Sequence, residues 1–182
     1  MRIIETDIPE IKIVEADVFA DSRGYFFESW NHEKYSGAGI GCQWLQDNES
    51  CSGYGVVRGL HYQLPPYAQA KLVRVIFGRV LDIAVDIRKN SSSFGKYVAV
   101  ELSGDNKRQL FIPRGFAHGF AVLSEKAVFA YKCDNPYMPS YERGIAFDDP
   151  DLGIDWGIPK EKMILSARDI KNPLFRNAQL PE

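Results

Sequence analysis

The run Lys71-Leu-Val-Arg-Val-Ile-Phe-Gly-Arg-Val-Leu-Asp-Ile-Ala-Val-Asp-Ile-Arg88 predicts two adjacent strands, with Phe77-Gly78-Arg79 as the turn between them. Successive side chains of a strand point to opposite faces of its sheet. Asp82, Ala84 and Asp86 therefore share one face of the second strand, while the opposite face is apolar. Carboxylates in such a strand indicate either a wide, partly wet barrel interior or an ion-paired outer face.

Short alternating or β-branched runs also lie on both sides of this strand pair, and turn-forming residues separate them. Many short strands at hairpin spacing are typical of an antiparallel sandwich or barrel, so the sequence predicts a mainly β fold with a few short helices. One short helix is expected at residues 31–35, with Asn31 as its N-cap. The other predicted strands cover residues 11–14, 24–30, 55–61, 97–102, 109–112, 119–123 and 127–132.

The composition is that of an ordinary globular protein. The chain has 182 residues, 45% of them hydrophobic, and a formal net charge of −2, which disfavours nonspecific nucleic-acid binding. We expect one domain over residues 1–182, with an extended or helical C-terminal arm from about residue 150. The amino terminus resembles neither a secretory signal nor a membrane span, so a cytoplasmic location without membrane contact is expected. Cys42, Cys51 and Cys133 form no CxxC pair, which argues against a disulfide framework or a thiolate zinc site.

A second informative run is Gly55-Val-Val-Arg-Gly-Leu-His61-Tyr-Gln63. It places ionisable side chains where a core strand would have valine or isoleucine, which indicates a lined pocket. Arg58 and His61 are three positions apart and so would not share a face of a regular strand. Either Gly59 lies at a bulge that redirects one side chain, or the two residues line different walls of one cavity.

Two short patterns resemble the motifs of the cupin superfamily. Pro113-x-Gly115-x-x-His118 is similar to the second cupin motif, and Gly55 followed by His61 is similar to the start of the first. Metal-binding cupins continue the first motif with another histidine two residues on and a glutamate soon after, whereas this chain has Gln63 and then Tyr67-Ala68. Zinc and iron sites need about three or four protein ligands. We therefore expect a cupin-type, jelly-roll barrel without a catalytic metal or other cofactor.

A closer resemblance, nearly from end to end, is to the dTDP-4-dehydrorhamnose 3,5-epimerase family. It implies a homodimeric jelly roll that inverts the two carbons flanking the ketone of a dTDP-linked 4-keto-6-deoxy sugar. Several long motifs in the right order are far more specific than one short motif. The matching stretches are Arg23-Gly-Tyr-Phe-Phe-Glu28, Gln46-Asp-Asn48, Val57-Arg-Gly-Leu-His-Tyr-Gln63, Gln69-Ala-Lys-Leu-Val-Arg74, Asp82-Ile-Ala-Val-Asp-Ile-Arg88, Ile112-Pro-Arg-Gly-Phe-Ala-His-Gly-Phe120, Tyr131-Lys132 and Leu165-Ser-Ala-Arg-Asp169.

Epimerisation beside a ketone needs a base, an acid and a partner for the enolate oxygen. The resemblance implies that His61 is the base, that Asp169 is its carboxylate partner, and that Tyr131 is the proton donor. It also implies that Lys71 lies near the ketone oxygen, where a cation is most effective. From the residues alone, the carboxylates of the 82–86 run are equally open as partners of the histidine. A rim lysine and a core tyrosine are the ordinary alternatives for the other two residues.

Substrate binding is implied by the same resemblance. Arginine forks suit a pyrophosphate, and an aromatic ring suits a flat base. The expected phosphate-binding residues are Arg23, Arg58 and Arg168, of which the last stands where a lysine is frequent in relatives. Tyr137 is expected to stack on thymine, and the rest of the binding set is Glu28, Gln46, Asp47, Asn48, His118 and Glu142.

The resemblance also implies a homodimer whose active sites include residues from the neighbouring chain. The apolar stretches 3–4 and 11–14 suit either the addition of a strand to a partner's sheet or ordinary pairing within their own barrel. In a homodimer with shared active sites, as the resemblance implies, Arg23 and Glu28 are expected to come from the neighbouring subunit, whichever pairing these stretches adopt.

Three other functions compete with the 3,5-epimerase. A single-site epimerase of another dTDP-deoxysugar pathway would keep the same catalytic residues. The related 3,4-ketoisomerases lack the Arg58-to-Gln63 motif combined with the terminal Ser166-to-Asp169 motif. A noncatalytic nucleotide-sugar-binding cupin would require the loss of His61, Asp169 or Tyr131, and all three are present.

Overall fold

The computed structural model describes residues 1–181, and antiparallel strands dominate it. The helical elements are short: one α-helix and several single 3₁₀ turns. The elements are β1 (Arg2–Glu5), β2 (Lys12–Glu15), β3 (Val18–Asp21), β4 (Gly24–Phe27), α1 (His32–Gly37), β5 (Gln46–Gly53), β6 (Val57–Gln63), β7 (Lys71–Phe77), β8 (Arg79–Asp86), β9 (Tyr97–Ser103), β10 (Arg108–Ile112), β11 (Phe116–Val122), β12 (Lys126–Cys133) and β13 (Glu142–Gly144), with 3₁₀ turns at Pro139–Tyr141, Lys160–Lys162, Asp169–Lys171 and Phe175–Asn177.

Two large sheets form the body of the fold. One has the strand order β1-β2-β10-β7-β12-β5 and the other β13-β6-β11-β8-β9, while β3 and β4 make a separate hairpin. Their facing sides meet in one apolar cluster, in which Phe120 of the second sheet stacks on Phe129 of the first at 4.2 Å between ring centroids. The predicted antiparallel β architecture is therefore confirmed. Each fully buried side chain of this size contributes about 1.5–3 kcal/mol to folding.

The predicted strands are all present, but four others were missed. β5 escaped prediction because its sequence, Gln46-Asp-Asn-Glu-Ser-Cys-Ser-Gly53, carries polar groups on both faces instead of an apolar alternation. β1, β3 and β13 were not among the predicted strands, and each is only three or four residues long, although the 3–4 stretch within β1 was expected to pair in a sheet. β2 pairs with β1 and β10 of the same chain. The apolar stretches 3–4 and 11–14 therefore pair within their own barrel, the second of the two alternatives expected for them.

The first turn of α1 is held by its N-cap as predicted. The Asn31 side chain accepts a hydrogen bond from the Lys34 backbone N–H at 3.1 Å. No helix among residues 1–181 is long and apolar enough to cross a membrane.

Both carboxylates of β8 are completely buried, and they have different surroundings. Asp82 turns into the space between the sheets, whereas Asp86 lies at the strand end and accepts hydrogen bonds from Arg88, Ser91 and Ser93. Burial alone would raise the pKa of Asp86, but these hydrogen bonds lower it to about 2. Both carboxylates lie on the inward face of β8, which they share with Ala84 of the core cluster. The interior setting is therefore the one observed, although Asp86 is also ion-paired with Arg88 at the strand end.

The segment after β13 covers the outer face of the five-stranded sheet. Trp156 is buried there, and its indole N–H donates to the Phe147 carbonyl at 2.8 Å. Further along, this segment runs beside the start of β6, where the Val57 N–H donates to the Ile164 carbonyl and the Ile164 N–H donates to the Gly55 carbonyl. This docking carries the following residues to the mouth of the barrel.

Candidate active site

A cavity of about 520 Å³ opens between the two sheets, and all four predicted catalytic side chains line it. It adjoins a second hollow of about 250 Å³, and His61, Lys71 and Tyr131 line both. The larger space also reaches Arg58 and Asp169. The combined space is thus a pocket with a charged and polar floor, of the kind predicted from the 55–63 run.

A β-bulge brings Arg58 and His61 to the same cavity. In the β6–β11 register His61 lies opposite His118 and Arg58 opposite Phe120, so two residues of β6 face only Gly119. Gly59 has a φ of +130°, and a Cβ atom on it would lie 2.6 Å from the Gly119 Cα. The first of the two geometries considered for this run is therefore the observed one.

His61 is joined to Asp169, 108 positions further along the chain. His61 Nε2 lies 2.5 Å from Asp169 Oδ1, and Ser166 Oγ donates to Asp169 Oδ2 at 2.9 Å. Burial acts to raise the pKa of Asp169, but the hydrogen bond with His61 and the Ser166 hydroxyl outweigh it and lower the pKa. An ionised carboxylate only accepts hydrogen bonds, so Nε2 carries the proton and Nδ1 has the free lone pair of a base.

Lys71 and Tyr131 belong to the opposite sheet, on neighbouring strands β7 and β12. The Lys71 ammonium lies 5.8 Å from the centre of the Tyr131 ring. Burial raises the pKa of Tyr131, so the phenol keeps its proton at neutral pH. Burial lowers the pKa of Lys71, while the nearby carboxylate of Asp82 acts against this effect. A ligand between the sheets would thus have an imidazole on one side and a phenol and an amine on the other.

A polar network surrounds the smaller hollow. The Tyr137 hydroxyl donates to Glu142 at 2.5 Å, and Arg168 forms an ion pair with the same carboxylate at 2.6 Å. The Tyr137 backbone N–H donates to Gln46, whose amide donates to Asn48 at 2.8 Å. The structure therefore brings these five predicted binding residues together beside the predicted catalytic side chains.

Three predicted binding residues lie outside this space in the single chain. Arg23 is at the tip of the β3–β4 hairpin and pairs with Asp21, while Glu28 pairs with Lys34. The Asp47 side chain points to the outer face of β5, where it accepts a hydrogen bond from Lys132 at 2.9 Å. Their roles in binding stay predictions.

Gln63 has a role that the sequence did not reveal. Its buried amide donates to the Tyr67 and Pro136 carbonyls at 2.6 and 3.2 Å and accepts from the Met138 N–H at 2.7 Å. It therefore ties the end of β6 to the loop that carries Tyr137.

Within residues 1–181, no group of three or more histidine, cysteine, aspartate or glutamate side chains is arranged to hold a metal ion.

Ser166 was likewise not singled out in the sequence, and Asp82 was considered only as an alternative partner for His61. Ser166 is three positions before Asp169, the spacing at which a hydroxyl and a carboxylate can hydrogen-bond within one turn. Asp82 showed a signal in the sequence, since a carboxylate in an apolar strand needs a partner.

The fold and the cavity define a cupin-type β-barrel with an acid–base site between its sheets. Comparison with known proteins gives the family. The chain belongs to the dTDP-4-dehydrorhamnose 3,5-epimerase family, whose model matches residues 5–177. It is 52% identical to the dTDP-4-dehydrorhamnose 3,5-epimerase of Shigella flexneri over 98% of both chains.

Solved structures agree with this assignment. A dTDP-6-deoxy-D-glucose-3,5-epimerase from Legionella pneumophila, in complex with dTDP-4-keto-L-rhamnose, is 48% identical and superposes with a TM-score of 0.96 over 100% of this chain and 97% of that one. A 3'-monoepimerase from Streptomyces bikiniensis, in complex with dTDP-quinovose, is 30% identical, with a TM-score of 0.89 over 97% and 91% of the two chains. The fold is thus common to enzymes that differ in the number of carbons they invert.

Proposed function

We propose that this protein is a dTDP-4-dehydrorhamnose 3,5-epimerase of dTDP-rhamnose biosynthesis. It converts dTDP-4-dehydro-6-deoxy-D-glucose to dTDP-4-dehydro-L-rhamnose by inverting the two carbons that flank the ketone. The observation that carries the proposal is the arrangement of His61, held by the Asp169 carboxylate, on one sheet and of Tyr131 and Lys71 on the facing sheet.

Each inversion consists of two proton transfers. His61 Nδ1 removes the proton from the carbon beside the ketone, and the electron pair of that C–H bond moves to the carbonyl oxygen. The Lys71 ammonium stabilises the enolate oxygen, and the Asp169 carboxylate stabilises the imidazolium that forms. A proton then reaches the opposite face of the carbon from the Tyr131 phenol, and solvent restores both side chains. These transfers need no change of oxidation state, and in this proposal the Lys71 ammonium supplies the positive charge at the enolate oxygen.

The nucleotide part of the substrate is assigned to the entrance of the site. Arg58 and Arg168 hold the diphosphate, and Tyr137 stacks on the thymine ring. Gln46, Asn48 and Glu142 complete the binding set together with His118. The Arg168–Glu142 ion pair of 2.6 Å is partly exposed, so its arginine is able to share its donors with a phosphate.

The decisive experiment follows deuterium during turnover. Purified protein is incubated with the substrate in heavy water, the product is trapped with a 4-keto-sugar reductase, and its ring carbons are analysed by NMR. We expect deuterium at both C3 and C5. Incorporation at only one carbon would instead establish a single-site epimerase, which is the second candidate because a 3'-monoepimerase shares this fold. No exchange at either carbon would refute both.

A tyrosine variant separates the two halves of each inversion. Tyr131→Phe keeps the base but lacks the donor, so we expect it to exchange ring hydrogens for deuterium while it forms product about 10²–10⁴-fold more slowly. A variant that makes product at the normal rate would exclude Tyr131 as the acid.

We also propose that the active enzyme is a cytoplasmic homodimer. The β3–β4 hairpin exposes Phe19 and Phe26 by 65% and 67%, an unusual amount for phenylalanine in a monomer. Arg23 lies at the tip of this hairpin, with the segment of Glu28 directly after β4. Association through the hairpin would carry both residues to the partner's cavity.

Mixing two inactive variants tests this arrangement. Arg23→Ala and His61→Asn are each expected to have very low activity alone. If Arg23 acts on the partner, a mixed dimer has one site with both native residues, so activity returns after the subunits exchange. Absence of rescue in a mixture shown to contain mixed dimers would mean that Arg23 does not act across the interface.

A further inference from the structure

A second histidine–carboxylate pair lies beside the proposed base. His118 of β11 is directly opposite His61 of β6, and its Nε2 lies 3.0 Å from each of the two carboxylate oxygens of Asp82. The mechanism above uses His118 only for binding and gives Asp82 no role, although Asp82 is fully buried. A carboxylate in such a place destabilises the fold unless a partner offsets its desolvation.

The equal distances indicate how the proton is arranged. One Nε2–H shared between both oxygens gives two similar contacts, which fits an ionised carboxylate, whereas a carboxylic acid would offer one short O–H contact to the nitrogen. Burial raises the pKa of Asp82, but the hydrogen bond from His118 and the charge of Lys71 favour the ionised form. The ring then keeps an unprotonated Nδ1. This nitrogen makes no hydrogen bond to the described residues, and His118 lines the main cavity.

The surroundings keep this imidazole uncharged. Burial lowers the pKa of His118 and outweighs the attraction of Asp82, while Lys71 of β7 and His61 of β6 act in the same direction as burial. Phe129 of β12 covers one face of the ring at 6.1 Å between centroids. The pair at His61 is different, because its imidazole is 29% exposed and so better able to bear a charge.

We propose that Asp82 is a positioning residue that holds His118 as a neutral imidazole, with Nδ1 turned to the cavity to accept a hydrogen bond from a hydroxyl of the sugar ring. The binding half of this inference rests on the proposed function. Of the two similar pairs, one thus transfers protons and the other recognises the substrate, because their environments differ in the charge they tolerate.

Nitrogen NMR tests the tautomer without substrate. The chain has three histidines, so a protein labelled with ¹⁵N-histidine gives few signals, and His32→Gln and His61→Asn variants assign them. We expect His118 to stay neutral from pH 5.5 to 8.5, with its proton on Nε2. An imidazolium at pH 7, or a proton on Nδ1, would overturn the proposal. This spectrum does not depend on turnover. It therefore tests the tautomer of His118 even if the deuterium experiment refutes the proposed function.

Asp82→Asn, compared with Asp86→Asn, tests the role of the carboxylate. Asp86 is an equally buried carboxylate four residues along the same strand, and its partners lie away from the cavity. We expect Asp82→Asn to alter the His118 signals and raise KM at least about tenfold, the loss of about one hydrogen bond, with a smaller change in kcat. Asp86→Asn should leave both unchanged. Identical behaviour of the two variants would refute the role, and if Asp82→Asn does not fold, the spectrum of the unmodified protein decides.

Discussion

Removal of the Asp169 charge should impair catalysis far more than folding. Asp169→Asn keeps the size of the side chain but leaves the imidazolium of His61 without its counter-charge. With charge centres about 4 Å apart at an effective dielectric constant of about 20, this attraction is about 4 kcal/mol, and one charge-assisted hydrogen bond is worth about 1.5–3 kcal/mol net. The barrier should therefore rise by about 3–4 kcal/mol, which lowers kcat between about 100-fold and 1,000-fold.

Initial rates with a coupled, NADPH-dependent reductase measure this loss, and the rate of deuterium exchange reports the same step without coupling. Ser166→Ala is the matched control, because it removes one hydrogen bond to Asp169 and leaves its charge. It should lower kcat less than about tenfold. If Asp169→Asn stays within about threefold of the unmodified enzyme while it binds substrate normally, the carboxylate does not stabilise an imidazolium and the proposed base is wrong.

Three further substitutions test binding and folding. Gln63→Ala should raise KM about tenfold with little effect on kcat, because the loop of Tyr137 loses its hydrogen bonds, and steady-state kinetics with an unchanged KM would contradict this. Gly59→Ala should lower Tm by more than about 10 °C or prevent folding, whereas Gly153→Ala, which meets only open space, should cost about 1–2 kcal/mol; similar thermal melts would argue against the bulge. The Asp86 pKa of about 2 lies below its unfolded value, so its stabilisation is present above about pH 4 and is lost as the pH falls towards 2. Urea unfolding of the unmodified protein and of Asp86→Asn gives the difference between their free energies of unfolding. This difference should shrink by about 2 kcal/mol over that pH range, and a constant difference would disprove the lowered pKa of Asp86.

The sequence was informative where side chains alternate strictly. The 71–88 run predicted its two strands and the shared face of Asp82 and Asp86, because the period of a strand depends only on local geometry. The same reasoning missed β5, since its inward side chains are polar groups of the site and not apolar groups of the core. Polar strands of this kind cannot be recognised by hydrophobic pattern.

The proposed catalytic pair of His61 and Asp169 shows a second limit of the sequence, which is that local patterns do not reveal long-range contacts. Nothing local in the sequence joins His61 to Asp169, and the two Asp residues of β8 were equally reasonable partners. The pairing depends on how the C-terminal segment docks beside β6 through backbone hydrogen bonds at Ile164. Backbone contacts of this type carry no residue signature, so only family resemblance suggested the pair in advance. The partner that β8 does provide serves His118.

The stacked rings of Phe120 and Phe129 pack between the two sheets, and this packing bears on catalysis. The proposed base belongs to one sheet and the proposed proton donor and amine belong to the other, and the stacked rings help to set the distance between the two sheets. Because protein interiors are close-packed, we expect this layer to fix the spacing of the proposed catalytic groups. A substitution that thins the layer without touching a polar group should therefore change the distance between the proposed base and donor and lower turnover.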